Sequence, residues 1–285
     1  MNSQQTVRRQ AGGVILNRIS RFHSIHLQRD VCVDIYYPEG KNRHRKDPGF
    51  PFLILNDGQD LERVGLIRTL ETLWADGQLP PLIAIGVYAN EERLQEYGTA
   101  GSPDYKGRGS KAGAYTRFVA RELLPWLRGH YHLSWLPRHA AIAGFSLGGL
   151  SAMDIAWQQE LLFGKVGVFS GSFWWRSAPV DPADPDAHRI MHAIVAGGPK
   201  RNGMSFWFQA GTKDEEEDRN NNGIIDAIDD TLDLIRELEN LGYQRHQDIR
   251  YVEVQDGEHN PETWAAVMPD FLKWAFGDPI NRILP

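Results

Sequence analysis

The feature that most constrains this 285-residue chain is a Gly-x-Ser-x-Gly pentapeptide, residues 144–148, that lies between two apolar segments. The apolar run at 139–143 predicts a buried strand, and the apolar segment at 150–157 predicts a helix. A strand, a sharp turn and a helix form a nucleophile elbow, where small neighbours leave room for a serine in a strained backbone conformation. We therefore predict that Ser146 is a nucleophile and that the N-terminus of the following helix stabilises an oxyanion beside it.

The rest of the chain alternates between short apolar runs and segments with helical periodicity. The apolar runs predict strands at 22–37 (two strands around a turn at 28–30), 50–55, 81–88, 164–169, 205–210 and 249–254. The helical pattern recurs at 61–74, 115–127, 182–195, 227–241 and 261–276. This alternation is typical of an α/β fold with a mostly parallel central sheet and helices on both faces. We predict a single domain at 21–285 after an N-terminal arm at 1–20, with the active site at the carboxyl ends of the strands.

Composition limits the partners and the location of the protein. The formal net charge of −6 argues against nucleic-acid binding, and the single cysteine, Cys32, excludes an intrachain disulfide. No run reaches the ~18 apolar residues of a membrane helix, so we expect no membrane partner. The polar residues at 1–10 lack a following apolar signal region, which predicts a cytoplasmic location unless an export signal has been trimmed. The oligomeric state stays open.

A nucleophilic serine needs a general base, and the base needs an acid that orients it. In α/β-hydrolases these residues follow in the order Ser, Asp or Glu, then His. His259 comes just after the last predicted strand and before the last predicted helix, which makes it the predicted base. The acid is expected after the strand at 205–210, where Asp214 is our first choice and Glu215 the reserve. Their acidic surroundings prevent the sequence alone from separating the two.

Backbone N–H groups near the serine are the predicted oxyanion donors. One donor is expected from Leu147, the residue after the serine, and the other from the loop that follows the strand at 50–55. Gly58 lets the backbone in that loop approach a ligand closely, which makes the N–H of Gln59 the candidate.

Aromatic residues and one arginine are the candidates for substrate contact. Phe173, Trp174 and Trp175 follow a predicted strand, where they either pack in the core or line a pocket for an apolar or aromatic acyl group. Arg93 lies in a long polar loop at 91–112, and such loops in compact domains are often functional. Arg93 is either a contact for an acidic substrate or a surface residue.

A second motif, at 218–229, matches the calcium-loop pattern almost position for position. Gly223 would provide the sharp turn, and a predicted helix follows directly. The last position is aspartate instead of the longer bidentate glutamate. Two asparagines replace carboxylates, which lowers the ligand charge and the expected affinity. We predict no cofactor for catalysis and a structural Ca²⁺ ion, although the segment also fits an acidic, Asn-rich helix cap. The predicted oxygen ligands are Asp218, Asn220, Asn222, the carbonyl of Ile224, Asp226 and Asp229.

These motifs together resemble the esterase family of α/β-hydrolases that includes esterase D, enterochelin esterases and bacterial feruloyl or acetyl-xylan esterases. The residues that carry the resemblance lie at 55–59, 143–149, 169–175, 211–214 and 257–259, spread over most of the chain. The resemblance implies an α/β-hydrolase fold, with Asp214 as the acid in a Gly-Thr-x-Asp segment and His259 as the base in a Gly-x-His segment. The calcium-like insert lengthens the interval between Asp214 and His259 beyond what the family leads us to expect.

The sequence thus predicts a serine carboxylesterase that acts through an acyl-enzyme intermediate on a small-molecule or carbohydrate ester of the feruloyl or acetyl kind. One alternative is a siderophore ester hydrolase of the enterochelin type, in which Arg93 contacts an acidic, iron-bearing substrate. A second alternative is a non-catalytic, calcium-dependent binding module that has kept the hydrolase scaffold. The acyl group and the alcohol of the substrate stay open.

Overall fold

A computed structural model of the protein describes residues 6–11, 13–40 and 49–277, in which one nine-stranded sheet runs through the molecule. Residues 1–5 of the predicted arm and residues 278–285 of the predicted domain lie outside the described residues. The strands are β1 (Thr6–Ala11), β2 (Val14–Ser24), β3 (Arg29–Pro38), β4 (Phe52–Asn56), β5 (Ile83–Val87), β6 (Ala140–Phe145), β7 (Lys165–Phe169), β8 (Ser205–Lys213) and β9 (Ile249–Glu258).

The order of strands across the sheet is β1-β2-β3-β5-β4-β6-β7-β8-β9. The first three strands are antiparallel to their neighbours, and β3 pairs antiparallel with β5. From β5 to β9 every pairing is parallel. The five-residue strands β4 and β5 are buried along their whole length, as expected for parallel strands covered on both faces. The predicted mostly parallel α/β fold is confirmed.

Helices cover both faces of this sheet. They are α1 (Leu66–Ala75), α2 (Arg93–Glu96), α3 (Ala112–Phe118), α4 (Leu124–Tyr131), α5 (Leu147–Gln158), α6 (Ile190–Ala196), α7 (Asp226–Asn240) and α8 (Pro261–Phe276). A π-helical turn, Val119–Leu123, joins α3 to α4. One apolar core lies between the sheet and the helices α3 to α7, and a second lies between the opposite face and the pair α1 and α8. None of the helices in the described part of the chain has the length and apolar character needed to cross a membrane.

Several boundaries differ from the sequence-based expectation. The predicted arm at 1–20 ends inside β2, which continues to Ser24 because it pairs with β3 on both sides of a bulge between Ile19 and Phe22. The turn between β2 and β3 lies at 25–28 instead of 28–30. The helix predicted at 182–195 begins only at Ile190, because Pro185 lacks a backbone N–H and disfavours helical backbone at the residue before it.

The sheet brings the candidate residues to one edge. The carboxyl ends of β4, β6, β7, β8 and β9 meet there because these strands are parallel. The loops that follow these strands contain Asp57, Ser146, Ser170, Asp214 and His259, although β8 and β9 extend further than predicted, to Lys213 and Glu258. This edge is where ligands bind in open α/β sheets.

Candidate active site

Ser146 occupies the tight turn between β6 and α5, with φ of 55° and ψ of −123°. Few residues with side chains adopt this strained conformation. Its backbone N–H donates to the carbonyl of Phe169 at 2.8 Å. A Cβ atom at Gly144 would lie 2.3 Å from the carbonyl oxygen of Gly148, so the turn requires glycine at position 144. The strand, turn and helix predicted for the elbow are therefore present.

The Ser146 hydroxyl is half-buried and lies 3.4 Å from Oγ of Ser172. The backbone of Ser172 also donates to the carbonyl of Ser146 at 3.2 Å, which holds the loop after β7 against the elbow. Among residues 6–11, 13–40 and 49–277, no hydrogen bond joins the Ser146 hydroxyl to His259. Nucleophile–base hydrogen bonds are often long in ligand-free enzymes and shorten when substrate binds.

Asp214 lies directly after β8, and its carboxylate is shielded from solvent. The backbone N–H of Gly211 donates to Oδ2 at 2.9 Å, and the hydroxyl of Ser170 donates to Oδ1 at 3.0 Å. The indole of Trp264 donates in turn to the Ser170 oxygen at 3.0 Å. Burial raises the pKa of Asp214, whereas these two hydrogen bonds and the nearby His259 act in the opposite direction. Asp214 is therefore fixed in one orientation.

His259 lies on the loop between β9 and α8, with Nδ1 3.8 Å from Oδ1 of Asp214. Its ring packs edge-on against Trp264, and 39% of the His259 side chain is exposed. A Cβ atom at Gly211 would lie 2.3 Å from the carbonyl of Gly257, so glycine at 211 lets the two loops approach each other. Burial is the largest influence on His259 and lowers its pKa; Asp214 raises that pKa, and Arg93 lowers it further.

Glu215, the reserve acid, is in a different environment. Burial raises its pKa to about 7, and the nearest charges that raise it further belong to Asp226, Glu217 and Asp230. Asp226 and Asp230 lie on α7, Glu217 directly precedes the calcium-like loop, and the backbone of Ala227, also on α7, donates to Glu215. The geometry therefore directs Glu215 toward α7 and Asp214 toward His259.

The two predicted oxyanion donors lie at the ends of neighbouring strands. Leu147 is the first residue of α5, and Gln59 lies in a short 3-10 turn, Gly58–Asp60, after β4. Within the described residues, neither backbone N–H donates to a protein acceptor. The Gln59 side chain is anchored: its amide nitrogen donates to Oδ1 of Asp57 at 3.1 Å, and its amide oxygen accepts from the backbone of Ala89 at 3.0 Å.

Arg93 begins α2 and points back to the loop after β4. Its Nε and Nη2 atoms donate to the two carboxylate oxygens of Asp57, each at 2.7 Å. Its guanidinium also stacks on Tyr97, 5.1 Å from the ring centroid. Arg93 therefore forms an ion pair with Asp57 while 30% of its side chain stays exposed, a pairing that no sequence pattern indicated.

The aromatic cluster after β7 is mostly core, which corrects part of the prediction. Phe173 and Trp175 are completely buried, so their rings are not available to a ligand. Trp174 is half-buried and lines a cavity of about 550 Å³ with Tyr105, Arg108 and other residues. The guanidinium of Arg108 stacks on Trp174 at 5.0 Å. Three consecutive aromatic residues do not reveal which rings turn inward, because that depends on packing against distant parts of the chain.

The calcium-like loop has the turn that its sequence predicts. Gly223 has φ of 85°, and both carboxylate oxygens of Asp218 accept backbone hydrogen bonds, from Asn222 and Gly223. The amide nitrogens of Asn220 and Asn222 donate to Oδ2 of Asp229 at 2.7 and 3.1 Å.

Other contacts tie this loop to its surroundings. Asp226 pairs with Arg219 at 3.1 Å, so this predicted ligand is engaged by a cation. The carbonyl of Ile224 lies in the same loop. Carboxylate oxygens of Asp186, Asp229 and Asp233 lie within 4.8 Å of one another, which adds acids from outside the motif. The loop therefore presents several oxygen donors.

Sequence reasoning missed the roles of Ser170, Ser172 and Asp57. All three lie in motifs that carry the family resemblance, but their residue types suit turns as well as sites. The signal that distinguishes two of them is backbone geometry, since Asp57 has φ of 59° and Ser170 has φ of 47°. Strain of this kind is visible only in the structure.

Comparison with known proteins agrees with this geometry. The chain matches the model of a family described as "Putative esterase" over residues 24–275. The uncharacterized protein YbbA of Bacillus subtilis (strain 168) is 24% identical over 233 residues, which cover 80% of this chain and 86% of YbbA. The iron(III) enterobactin esterase of Dickeya dadantii (strain 3937) is 26% identical over 234 residues, covering 79% of this chain and 47% of that protein.

Solved structures share the fold. A ferulic acid esterase aligns with a TM-score of 0.68 at 18% identity, over 92% of this chain and 97% of that one. The enterobactin esterase of Shigella flexneri aligns with a TM-score of 0.69 at 20% identity, over 90% of this chain but only 57% of that one. Because the family model spans most of its length, this chain belongs to that esterase family and is a carboxylic ester hydrolase with an α/β-hydrolase fold.

Proposed function

We propose that this esterase is a serine carboxylesterase in which Ser146, His259 and Asp214 act as a catalytic triad. The observation that carries the proposal is the approach of the buried Asp214 carboxylate to Nδ1 of His259, 3.8 Å away, at the sheet edge where Ser146 occupies a strained elbow. Asp214 orients the imidazole and stabilises the imidazolium form, and Nε2 is then free to face the serine.

The reaction has two halves. Ser146 Oγ attacks the ester carbonyl while His259 takes the hydroxyl proton, and the N–H groups of Leu147 and Gln59 stabilise the oxyanion. The tetrahedral intermediate collapses, the ester C–O bond breaks, and His259 returns the proton to the leaving alcohol. Water then attacks the acyl-enzyme by the same route, which releases the acid and restores the serine.

For the substrate, we favour an ester of an aromatic acid, such as a feruloyl ester of a carbohydrate. Trp174 and Tyr105 line a cavity large enough for a small aromatic molecule. The ferulic acid esterase is also a structural relative that this chain covers over almost its whole length.

A second candidate is a siderophore ester of the enterobactin type. The same cavity is lined by Lys106, Arg108, Arg176 and Arg219, whose positive charges suit an anionic catecholate substrate. The Dickeya dadantii relative is an iron(III) enterobactin esterase, although this chain spans less than half of its length. Acidic residues of the calcium-like loop line the same cavity and oppose this attraction.

The experiment compares wild-type protein and Ser146→Ala on p-nitrophenyl acetate, methyl ferulate and a catecholate trilactone, with and without iron. We expect hydrolysis by the wild type and a loss of at least about a thousandfold in kcat for Ser146→Ala. The substrate with the highest kcat/KM decides between the two candidates. A folded wild-type protein that turns over none of them would favour the non-catalytic binding module.

We also propose that the loop at 218–229 binds Ca²⁺ as a structural ion. Side-chain oxygens of Asp218, Asn220 and Asn222 accept backbone hydrogen bonds in the turn around Gly223, and the amide nitrogens of the two asparagines contact Asp229 on α7. Hard oxygen donors are the ligands that Ca²⁺ takes. Because Asp226 is paired with Arg219, we expect it to contribute less to Ca²⁺ binding than the motif predicts. Because the loop starts four residues after Asp214, bound Ca²⁺ would order the segment that holds the triad acid.

A further inference from the structure

A partly buried ion pair joins the loop after β4 to α2, beside the elbow. We call Asp57 and Arg93 the oxyanion clamp. Asp57 has φ of 59°, and its carboxylate is 2% exposed while accepting both 2.7 Å hydrogen bonds from Arg93. Two parallel N–H donors on one carboxylate fix its orientation as well as its distance. The residue two positions further on is Gln59, a predicted oxyanion donor.

Hydrogen bonds also hold the backbone of Asp57. Its backbone N–H donates to the hydroxyl of Tyr97 at 3.0 Å, and its carbonyl accepts from the backbone of Asp60 at 3.0 Å. A Cβ atom at Gly148 would lie 2.5 Å from Oδ2 of Asp57. The second glycine of the Gly-x-Ser-x-Gly motif therefore makes room for this carboxylate, whereas the sequence predicted room for the serine alone.

The clamp also reaches the backbone of the elbow. Nη2 of Arg93 lies 3.5 Å from the carbonyl oxygen of Phe145, the residue before Ser146. Beside it, the amide nitrogen of Asn56 donates to the carbonyl of Gly148 at 2.7 Å, and Asn56 itself accepts from the hydroxyl of Tyr115. The loop after β4 and the start of α5 are thus joined on both sides of Ser146.

This arrangement bears on catalysis because the two oxyanion donors come from the two joined segments. The N–H of Leu147 belongs to the elbow, and the N–H of Gln59 belongs to the loop that Asp57 begins. Both must point to one oxygen atom with hydrogen-bond geometry, and an error of about 1 Å costs on the order of a hundredfold in rate.

We propose that Arg93 is a positioning residue that, through Asp57, sets the separation of the Leu147 and Gln59 oxyanion donors. The inference rests on the serine mechanism proposed above and adds a residue pair to it. It also changes the expected role of Arg93, from a contact for an acidic substrate to a part of the catalytic framework.

The guanidinium has a second effect, on the base. The charged groups that act on the His259 ring are Asp214, which raises its pKa, and Arg93, which lowers it. Arg93 therefore helps to keep the imidazole neutral and able to accept the serine proton.

The test compares Arg93→Met, Arg93→Lys and the double variant Asp57→Asn/Arg93→Met with the wild type. Arg93→Met leaves a buried carboxylate without its partner, so its stability should fall. The double variant removes both charges and should recover thermal stability, because no uncompensated charge remains. We expect kcat to stay about 10- to 100-fold below wild type in all three, with KM changed less than about threefold.

The pH dependence of kcat/KM tests the effect of the Arg93 charge on His259. Arg93→Met should shift the acid limb of kcat/KM to higher pH, whereas Arg93→Lys, which keeps the charge, should not. The inference is overturned if the double variant recovers kcat together with stability. It is also overturned if the variants raise KM for anionic esters at unchanged kcat, which would make Arg93 a substrate contact.

Labelling of Ser146 by a fluorophosphonate separates this inference from the proposed function. If the wild type is not labelled, the serine mechanism itself fails, whatever the variants do. If the wild type is labelled and the variants keep wild-type kcat, the mechanism stands and only the role of Arg93 is refuted.

Discussion

Oδ1 of Asp214 lies 3.8 Å from Nδ1 of His259, while the other carboxylate oxygen is held by the backbone N–H of Gly211. The distance is too long for a hydrogen bond. The acid is fixed by its own loop and by Ser170, so closing this gap requires movement of the His259 ring. Four predictions and one decisive measurement follow from this arrangement and its surroundings.

The identity of the triad acid is tested by Asp214→Asn, with Glu215→Gln as the matched control. Asp214→Asn removes the charge that stabilises the imidazolium and favours the wrong tautomer, so kcat should fall by about 10⁴. Glu215 faces α7, and its replacement should leave kcat within about threefold of wild type. Steady-state kinetics on p-nitrophenyl acetate measure both, and a larger loss for Glu215→Gln would reverse the assignment.

The pH dependence of kcat/KM reports the protonation of His259. The base must be neutral to accept a proton, so activity should rise as pH increases through its pKa. Burial and Arg93 lower that pKa and Asp214 raises it, with a net lowering. We therefore expect the midpoint of the acid limb below about 6.5, the usual value for histidine. A midpoint at or above 7 would show that the pair with Asp214 dominates.

Trp174 and Trp175 should behave differently when truncated. Trp174→Ala removes a half-buried wall of the cavity, so KM for methyl ferulate should rise while KM for an acetyl ester and the melting temperature change little. Trp175→Ala opens a hole in the core and should cost about 3–5 kcal/mol of stability. Thermal melts and the two substrates check this, and an unchanged KM for methyl ferulate in Trp174→Ala would exclude the cavity as the acyl pocket.

Removal of calcium should destabilise the protein if the loop at 218–229 binds it. An ion bound only by the folded state raises the melting temperature with its concentration. We expect Ca²⁺ to raise the melting temperature of chelator-treated wild type but not of Asp218→Ala. Asp270→Asn, an exposed carboxylate paired with Lys273 outside the loop, is the control and should respond like wild type. A melting temperature and an activity that chelation leaves unchanged would rule out the structural ion.

Local patterns predicted those parts of the molecule that local rules determine. The elbow around Ser146 follows from glycine spacing between a strand and a helix, and the position of His259 follows from chain order. Phe173 and Trp174 could not be separated, because which of two adjacent rings turns inward depends on the packing of helices that come later in the chain.

Contacts between distant loops were not predictable in the same way. Asp57 and Arg93 are 36 positions apart, one in a loop and the other at the start of a one-turn helix, and no periodicity relates their side chains. The pairing of Arg219 with Asp226 inside the calcium-like loop was also not predictable, because the calcium-loop pattern assigns Asp226 to the ion. In both cases each residue suits a surface turn when considered alone.

The measurement that tests the central claim most directly is the intact mass of the protein after treatment with a fluorophosphonate, with Ser146→Ala alongside. An activated serine attacks the phosphorus atom of the reagent, fluoride leaves, and one phosphonyl group stays on the serine oxygen. The wild type should therefore gain the mass of a single adduct. The Ser146→Ala variant should gain none. An unmodified wild type, or an adduct that persists in a folded Ser146→Ala variant, would contradict the assignment of Ser146 as the nucleophile.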